Sequence, residues 1–409
     1  MIILLASKSY CANGGGISSF GKDFINIYNK DNQVVLFTGD KYIKAETDNF
    51  ELYNVDWNDY SLANAKRIIS LINQIKPDII YNSAASLLSL ITPYLNNEIK
   101  ILSISHFVNG KLANTAGFNS KYIDTIVTLS NYGTKYIKNF FHIKNNSKVS
   151  CVYNFQSALG DADFILNKKK KNNCLIIVYP GGSSAHKSPD VVFKIVSELL
   201  LTNLKFKFIW LGNTKIAISS LSPKIKTIKE MFPHDDRLIF TGQISRFEAQ
   251  EIIQSANMFL LPSRGEGCPI SLLEAMRVGT IPLVSDSKHA SRELIENEIN
   301  GYVIPIRKPS LFVSRIENII LNHSRYGEVY DNCLNFFSTN LNSTIWKNKM
   351  DGIFNAKNKH KNRFSKFNHF HYVLKLITFK MLLKKDRIRE VFRSIKLHVF
   401  FRKFHFIKK

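Results

Sequence analysis

Short apolar segments that alternate with amphipathic stretches constrain this 409-residue chain most. The alternation is typical of α/β chains with parallel sheets. In the first half it predicts strands at residues 2–6, 34–38, 79–82, 101–105, 125–129 and 149–153. After a polar run at 168–173 it restarts, with strands predicted at residues 175–179, 206–211, 238–241, 258–261 and 280–285. We therefore predict an α/β chain of two doubly wound, Rossmann-like domains at 1–167 and 174–350 that face a ligand-binding cleft.

The remaining segment, 357–409, differs from both domains in charge. It holds 17 of the 56 Lys and Arg residues and only two acids, so its net charge is +15 of the chain's +24. Its ten aromatic residues interleave with the basic ones at near-helical spacing, which favours a basic helical tail on an anionic membrane surface. A solvated helical extension packed on the body, or a single-strand nucleic-acid binder, would have a similar composition.

Cysteine content favours a reducing compartment, and hydropathy predicts no membrane-spanning helix. The five cysteines are odd in number and show no C-x-x-C spacing, which argues against a disulfide framework or a zinc site. No stretch has the roughly 18 consecutive apolar residues of a spanning helix. The first residues, 1–6, read as a buried strand and not as a signal peptide. We expect a cytoplasmic protein, peripheral on the inner face of the cell membrane.

The stretch 262–279, PSRGEGCPISLLEAMRVG, is the most informative about chemistry. It follows a predicted strand and leads into a helix whose first turn accepts Pro269 and whose end is marked by Gly279. Gly265 and Gly267 leave the backbone open to a ligand, and the helix N-terminus suits an anion. Two glutamates eight residues apart, Glu266 in the loop and Glu274 inside the helix, can hydrogen-bond the hydroxyls of a sugar and of a ribose.

This E-x(7)-E stretch resembles the signature of the retaining nucleotide-sugar glycosyltransferases of family 4, which have the GT-B fold. Other pieces follow in the family's order: Gly14-Gly15-Gly16, Ser105-His106, Leu129-Ser130, Val152-Tyr153-Asn154, Gly181 to Lys187, Leu211-Gly212, Thr241-Gly242, Glu293-Leu294-Ile295 and Asn300-Gly301. The resemblance covers residues 1 to 350 approximately. It implies a hexose transfer to an acceptor hydroxyl with retention, without a cofactor and without a required metal.

The resemblance also implies roles for single residues. Glu266 would bind donor-sugar hydroxyls, His106 would reach the sugar near the reacting centre, and Lys187 would neutralise the leaving diphosphate. Glu274 would hold the ribose. The remaining donor-binding positions are glycines and backbone groups: Gly15, Gly16, Gly181, Gly182, Gly267, Cys268, Pro269 and Ile270. Taken alone, the glycine triplet could be an ordinary turn, His106 a structural histidine and Lys187 a solvated loop lysine.

One position departs from the family pattern. Family members carry Arg five residues before the lysine, whereas this chain has Gly182 there, and Ser188 stands in place of the glycine that follows the lysine. The loss of a guanidinium removes a bidentate phosphate clamp. Backbone amides around Gly181, or His186, could replace it.

The expected partners are a nucleotide-sugar donor, a glycan or lipid-linked acceptor of bacterial surface polysaccharide assembly, and the anionic membrane; no nucleic acid is expected. Rival functions on the same fold are a sugar-nucleotide epimerase and a phosphorylase with lysine-bound pyridoxal. A basic nucleic-acid-binding protein and a donor-binding scaffold without activity are the non-enzymatic alternatives.

Overall fold

The computed structural model describes residues 1–10, 15–40, 42, 49–157, 174–181, 184–212, 235–357 and 363–383, with backbone only for 323–326. The first sheet is parallel throughout and has the order β3-β2-β1-β4-β5-β6-β7. Its strands are β1 (Ile2–Ser7), β2 (Gln33–Thr38), β3 (Glu51–Asn54), β4 (Ile79–Ser83), β5 (Lys100–Ser105), β6 (Thr125–Thr128) and β7 (Val149–Cys151).

A second parallel sheet of six strands follows, in the order β10-β9-β8-β11-β12-β13. Its strands are β8 (Leu175–Tyr179), β9 (Phe206–Leu211), β10 (Leu238–Gly242), β11 (Met258–Leu261), β12 (Ile281–Ser285) and β13 (Tyr302–Ile304). Helices cover both faces of each sheet, and the predicted fold class of two Rossmann-like α/β domains is confirmed.

The helices of the first domain are α1 (Gly16–Tyr28), α2 (Leu62–Ile75), α3 (Ser86–Ile91), α4 (Gly110–Gly117) and α5 (Asn131–Phe140). Those of the second are α6 (Pro189–Leu200), α7 (Arg246–Ser255), α8 (Ile270–Met276), α9 (Ala290–Leu294), α10 (Pro309–Leu321) and α11 (His323–Asn340). Two further helices follow, α12 (Ser343–Asn355) and α13 (369–383).

Every strand predicted from the sequence is present, with ends shifted by at most two residues. Two strands were not predicted, β3 and β13. Both lie at a sheet edge. Strand β3 has four residues, all of them partly or fully exposed, and β13 has three residues. Neither has the long apolar run that marks a central parallel strand, although the other two edge strands, β7 and β10, were predicted.

The chain returns to the first domain after the second is complete. Trp346 of α12 stacks on Phe155 with ring centroids 4.2 Å apart, and the hydroxyl of Tyr28 donates to Asp351 Oδ1 at 2.9 Å. By sequence, residues up to 350 were assigned to the second domain, but in space α12 packs on the first. Its aromatic residues join the apolar cluster that lies between α1 and the first sheet.

Helix α13 also packs on the first domain, on the opposite face of its sheet, where Tyr372 and Phe379 are buried in the apolar cluster. Arg363, just before it, is buried and donates to the carbonyls of Tyr122 and Ile99 at 3.0 Å each. Within the C-terminal segment, residues 369–383 are helical and 363–368 are irregular; residues 358–362 and 384–409 of the predicted tail lie outside the described part. Among the described helices, none is both long and apolar enough to cross a bilayer.

Candidate functional site

A cavity of about 500 Å³ lies between the two domains, where the carboxyl ends of their central strands face one another. Loops at the carboxyl ends of parallel strands are the usual ligand-binding edge of such sheets. The first domain contributes the turn at Gly15 and Gly16 before α1 and the segment that follows β5. The second contributes the loop between β11 and α8 and the 3₁₀ turn Ala185–Lys187.

Glu266 is held at the floor of this cavity by several polar partners. It is buried, its Oε1 lies 2.9 Å from Lys187 Nζ, and it accepts a hydrogen bond from Ser263 Oγ at 3.0 Å. His186 Nε2 lies 3.9 Å from the same oxygen. Burial acts to raise the pKa of Glu266, but the charges of Lys187 and His186 outweigh it and lower the pKa. Glu266 is therefore a carboxylate at neutral pH, and Lys187 is its counterion.

A second ion pair fixes the loop that carries Lys187. The guanidinium of Arg264 donates two hydrogen bonds to the carboxylate of Asp190, of 2.8 and 2.5 Å. The backbone N–H of Arg264 donates to the carbonyl of His186 at 2.7 Å. These bonds tie the β11–α8 loop to the start of α6. The separation of Lys187 and Glu266 is thus set by the backbone and by a bidentate pair.

Glu274 forms the other acidic point of the site, one helical turn into α8. It is buried and accepts hydrogen bonds at Oε1 from Gln250 Nε2 at 2.7 Å and Arg246 Nε at 3.3 Å. The other side of the Arg246 guanidinium lies 3.4 Å from Asp23 Oδ2 on α1 of the first domain. Burial raises the pKa of Asp23, although Arg246 opposes this shift. Arg246 therefore links an acid of each domain across the cleft.

His106 follows the last residue of β5 and lines the cavity between the two domains. Its Nε2 is 2.7 Å from Ser83 Oγ, and its ring stands edge-on to Phe20. Desolvation by the surrounding side chains lowers the pKa of His106 to about 3, although the residue keeps some solvent exposure, so the imidazole is neutral at physiological pH and acts as a hydrogen-bonding group. Its own carbonyl oxygen faces Gly267, where a Cβ atom would lie only 2.1 Å away. Only glycine fits at that position.

Two further contacts join the domains beside the cavity. Asn154 Nδ2 donates to the carbonyl of Cys268 at 2.6 Å. Glu293 accepts from the backbone N–H groups of Asn131 and Tyr132, both at 2.8 Å, and from the hydroxyl of Tyr153 at 2.8 Å. A carboxylate of the second domain thus meets the N-terminus of α5 in the first, where the helix dipole favours negative charge.

Most residues predicted from the sequence line one cavity. They are Gly15, Gly16, His106, Lys187, Glu266, Gly267, Cys268, Pro269, Ile270 and Glu274. Gly181 is not among the residues that line it; a Cβ atom there would overlap the ring of Tyr179, which explains the glycine without a ligand. Gly182 lies outside the described residues.

Sequence reasoning missed other residues that shape the site. Phe107, Asn154 and Arg246 line the cavity, and Asp23 meets Arg246 from across the cleft. The only sequence signal for Arg246 was the capping box of Ser245 and Glu248, which fixes it in the first turn of α7. Its direction depends on the sheet order, which periodicity does not reveal. In the described part of the chain, no group of three or more His, Cys, Asp or Glu residues is arranged to hold a metal ion.

Comparison with known proteins finds a family match for the second-domain part of this site. Residues 161–333 match the family model described as glycosyl transferases group 1. These residues, less than half of the chain, are similar to that family. They include both glutamates, Lys187 and Arg246.

Curated relatives match mainly in part. A glycogen synthase of Petrotoga mobilis is 29% identical over 119 residues, 29% of this chain and 23% of the relative. A putative colanic acid biosynthesis glycosyltransferase, WcaL of Salmonella typhimurium, is 27% identical over 136 residues, 32% of each chain. A UDP-Gal:alpha-D-GlcNAc-diphosphoundecaprenol alpha-1,3-galactosyltransferase of Escherichia coli is 25% identical over 158 residues, 38% of this chain and 33% of the relative. The match thus spans a quarter to a third of these relatives.

Solved structures extend the likeness to nearly the whole chain. Anabaena Alr3699/HepE, solved in complex with UDP-glucose, superposes with a TM-score of 0.70 over 87% of this chain and 100% of its own, at 11% identity. The lipopolysaccharide outer core galactosyltransferase WaaB superposes with a TM-score of 0.63 over 87% and 99%, at 18% identity. These neighbours show a shared GT-B fold.

Proposed function

We propose that this protein is a retaining glycosyltransferase that moves a hexose from a nucleoside diphosphate sugar to an acceptor hydroxyl. One observation carries the proposal: Glu266 and Glu274 line the same interdomain cavity, and each is paired with a cation that also lines it, Lys187 and Arg246. Carboxylates that alternate with cations suit a ligand rich in hydroxyls that also bears a diphosphate. The neighbour HepE, solved with UDP-glucose, supports a donor of this class.

The two carboxylates would act on different parts of the donor. Glu266 accepts hydrogen bonds from hydroxyls of the sugar, and Glu274 accepts them from the ribose. Backbone groups of residues 267 to 270 contact the sugar and diphosphate. Without donor, Lys187 pairs with Glu266; when the diphosphate enters, its charge competes for the same ammonium group, which then stabilises the leaving group as the glycosidic bond breaks.

Retention follows in this proposal from attack on the face that the diphosphate leaves, through an oxocarbenium-like state without a protein nucleophile. His106 is neutral, so it contributes a hydrogen bond near the sugar and not a charge. Lys187 carries the positive charge that assists departure, and no metal ion is required. Addition of EDTA is therefore expected to leave turnover unchanged.

The acceptor is proposed to be a lipid-linked glycan of bacterial surface polysaccharide assembly, reached from the cytoplasmic face of the membrane. Support comes from the names of two partial relatives, one in colanic acid biosynthesis and one that uses a diphosphoundecaprenol acceptor. The basic tail 357–409 would hold the protein at the anionic membrane surface, while the first domain presents the acceptor side of the cleft.

A donor screen tests the proposal. We expect one or a few nucleoside diphosphate sugars to raise the unfolding temperature of the full chain, because a ligand that binds only the folded state stabilises it by mass action. The best donor is then incubated with a soluble glycan acceptor, and the anomeric configuration of the first product is read by proton NMR. Retention of the donor configuration supports the proposal. Inversion, or epimerised donor without transfer, contradicts it.

A further inference from the structure

Helix α13 exposes a continuous apolar stripe along its outer face. Five large apolar side chains, each between 43% and 75% exposed, fall at helical spacing: Phe370, Val373, Leu374, Ile377 and Met381. At 3.6 residues per turn they lie within an arc about 100° wide. The other exposed large apolar residues of the described chain are mostly scattered, whereas these five lie within twelve residues. A contiguous patch of this kind marks an interaction surface.

The opposite face of α13 is fixed to the first domain, so the stripe has a defined direction. Tyr372 is buried and its hydroxyl donates to the carbonyl of Tyr60 at 3.0 Å. The ring of Phe379 is also buried and lies 4.7 Å from that of Phe118. Because these anchors lie on the far side of the helix axis from the stripe, the helix cannot turn its apolar residues inward without losing them.

Two lysines of α13 lie outside the arc of the stripe, one on each flank of the helix. Lys375 Nζ lies 5.8 Å from the ring of Phe118, and Lys380 Nζ lies 6.0 Å from the ring of Tyr60. Residues 363–383 contain four basic residues and no acid. An apolar face with lysines on its flanks is typical of a helix that lies in the headgroup region of an anionic bilayer. The ammonium groups of the lysines then contact the lipid phosphates.

A second feature lies beside the C-terminal end of the stripe. An apolar cavity of about 680 Å³ opens there, with Lys121 and Lys375 among the residues that line it. Three phenylalanines supply much of its wall: Phe118, Phe140 and Phe141. An apolar opening with ammonium groups on its wall suits the acyl chain and phosphate of a lipid.

We propose that the outer face of α13 is the membrane-docking surface of this protein, with the stripe inserted into the headgroup region of an anionic bilayer and the helix parallel to the surface. This inference rests on the proposed function for its location at a membrane. It deepens that proposal by assigning attachment to a structured surface of the acceptor-side domain and not only to the charge of the tail. The first domain, and with it the acceptor side of the cleft, then sits against the lipid.

Vesicle flotation of the full chain tests the assignment. The variant carries Leu374→Ser, Ile377→Ser and Met381→Ser; the matched control carries Leu201→Ser, Leu311→Ser and Leu321→Ser, three residues of the second domain that are 42% to 74% exposed. Vesicles of phosphatidylglycerol and phosphatidylcholine are compared with phosphatidylcholine alone. At 0.5 M salt the Debye length falls to a few Å, which suppresses attraction by the exposed charges. We expect wild type and control to float with the anionic vesicles, and the variant to bind at least tenfold more weakly.

Equal flotation of variant and wild type would overturn the assignment, because attachment would then reside elsewhere. A second outcome would also overturn the assignment: wild type does not bind vesicles but forms a dimer, and the triple substitution dissociates that dimer. The stripe would then be the contact surface for a second copy of the chain. The donor-induced rise in unfolding temperature is measured on the same samples. A variant that keeps this rise and loses flotation supports the docking surface, whereas flotation without any donor response contradicts the proposed function and leaves the surface standing.

Discussion

At the scale of single residues, the pair formed by Lys187 and Glu266 governs the charge of the cleft. Burial alone would raise the pKa of Glu266, and the pair with Lys187, aided by His186, lowers it instead. A carboxylate with a lowered pKa stabilises the fold above its unfolded pKa of about 4.5, and that stabilisation is lost as the pH falls through the folded value. The acid is thus available as a hydrogen-bond acceptor wherever the fold is stable.

Lys187→Met should reverse this balance. Without the ammonium group, burial dominates and the pKa of Glu266 rises above its unfolded value, so the variant loses stability as the pH rises from 4.5 to 7.5. Removal of one partner of a buried pair costs about 3–5 kcal/mol. Thermal unfolding at the two pH values checks this: the deficit relative to wild type should be larger at pH 7.5. Lys194→Met, an exposed lysine on α6, is the control. An equal deficit at both pH values would contradict the pairing.

At Gly267 the two domains approach so closely that no side chain can be accommodated. The Cβ atom of an alanine there would lie 2.1 Å from the carbonyl oxygen of His106, a backbone atom that cannot swing aside. Gly267→Ala should therefore hold the domains apart and weaken donor affinity at least tenfold, with a larger radius of gyration in small-angle X-ray scattering.

Gly352→Ala makes the same chemical change in the exposed interior of α12, where a Cβ atom meets nothing within 4 Å. It should leave donor affinity unchanged and stabilise the fold by roughly 0.5–1 kcal/mol, because alanine is the better helix former. Normal donor affinity in Gly267→Ala would show that the observed approach of the domains is not needed for binding.

At the scale of elements, helix α5 is capped from two domains. Ser130 Oγ accepts from the N–H of Gly133 within the first domain, and Glu293 of α9 accepts from Asn131 and Tyr132. The same carboxylate accepts from Tyr153, and burial and this hydrogen bond raise the pKa of that phenol. One side chain thus couples α5, the segment after β7 and the second domain.

Glu293→Gln should loosen this junction. The amide keeps the size of the side chain but loses the charge that the helix N-terminus favours, a loss of about 1–2 kcal/mol. Hydrogen exchange at the amides of Asn131 and Tyr132 should accelerate several-fold, and donor affinity should fall by a smaller factor. Glu296→Gln, an exposed acid three residues on, should change neither. Unchanged exchange at both amides would remove Glu293 from the domain junction.

The sequence predicted elements better where they are buried on both faces. Central strands such as β8, β9 and β11 were predicted with their observed ends, because two buried faces demand a continuous apolar run. The short edge strands β3 and β13 have no such continuous apolar run and were not predicted. Helix α8 was located closely by the proline and the glycine at its two ends. Pro269 is its N-cap residue, and Gly279, with φ of +63°, follows its last turn.

At the scale of the whole molecule, the site exists only where two domains meet. Local patterns marked Glu266, Lys187 and His106 in loops that follow strands, and Glu274 in the helix that follows one of these loops. Asp23 carries no local signal, and the capping box beside Arg246 does not reveal where its side chain points. The two residues lie 223 positions apart, and their meeting depends on how the domains face each other. Sequence periodicity describes each domain separately, so contacts across the cleft had to come from the structure.

The C-terminal segment gives the two-domain arrangement a second connection. Helix α12 crosses back to the first domain, and Lys100 Nζ of β5 donates to the carbonyl of Phe354 at 2.8 Å. Helix α13 then packs on the far face of the same sheet. The first domain therefore carries one side of the cleft, the return of the chain and the proposed docking surface. If the cleft binds the donor and α13 docks on the membrane, as proposed, the two properties should be separable.

Calorimetric titration with the donor selected by the thermal screen tests the central claim most directly. Wild type is compared with Glu274→Gln and with Glu251→Gln, an exposed acid on α7 that does not line the cavity. If the interdomain cavity is the donor site, Glu274→Gln weakens binding at least tenfold, about 1.4 kcal/mol, and Glu251→Gln leaves it unchanged. Equal affinity in all three proteins would place the donor elsewhere and contradict the account.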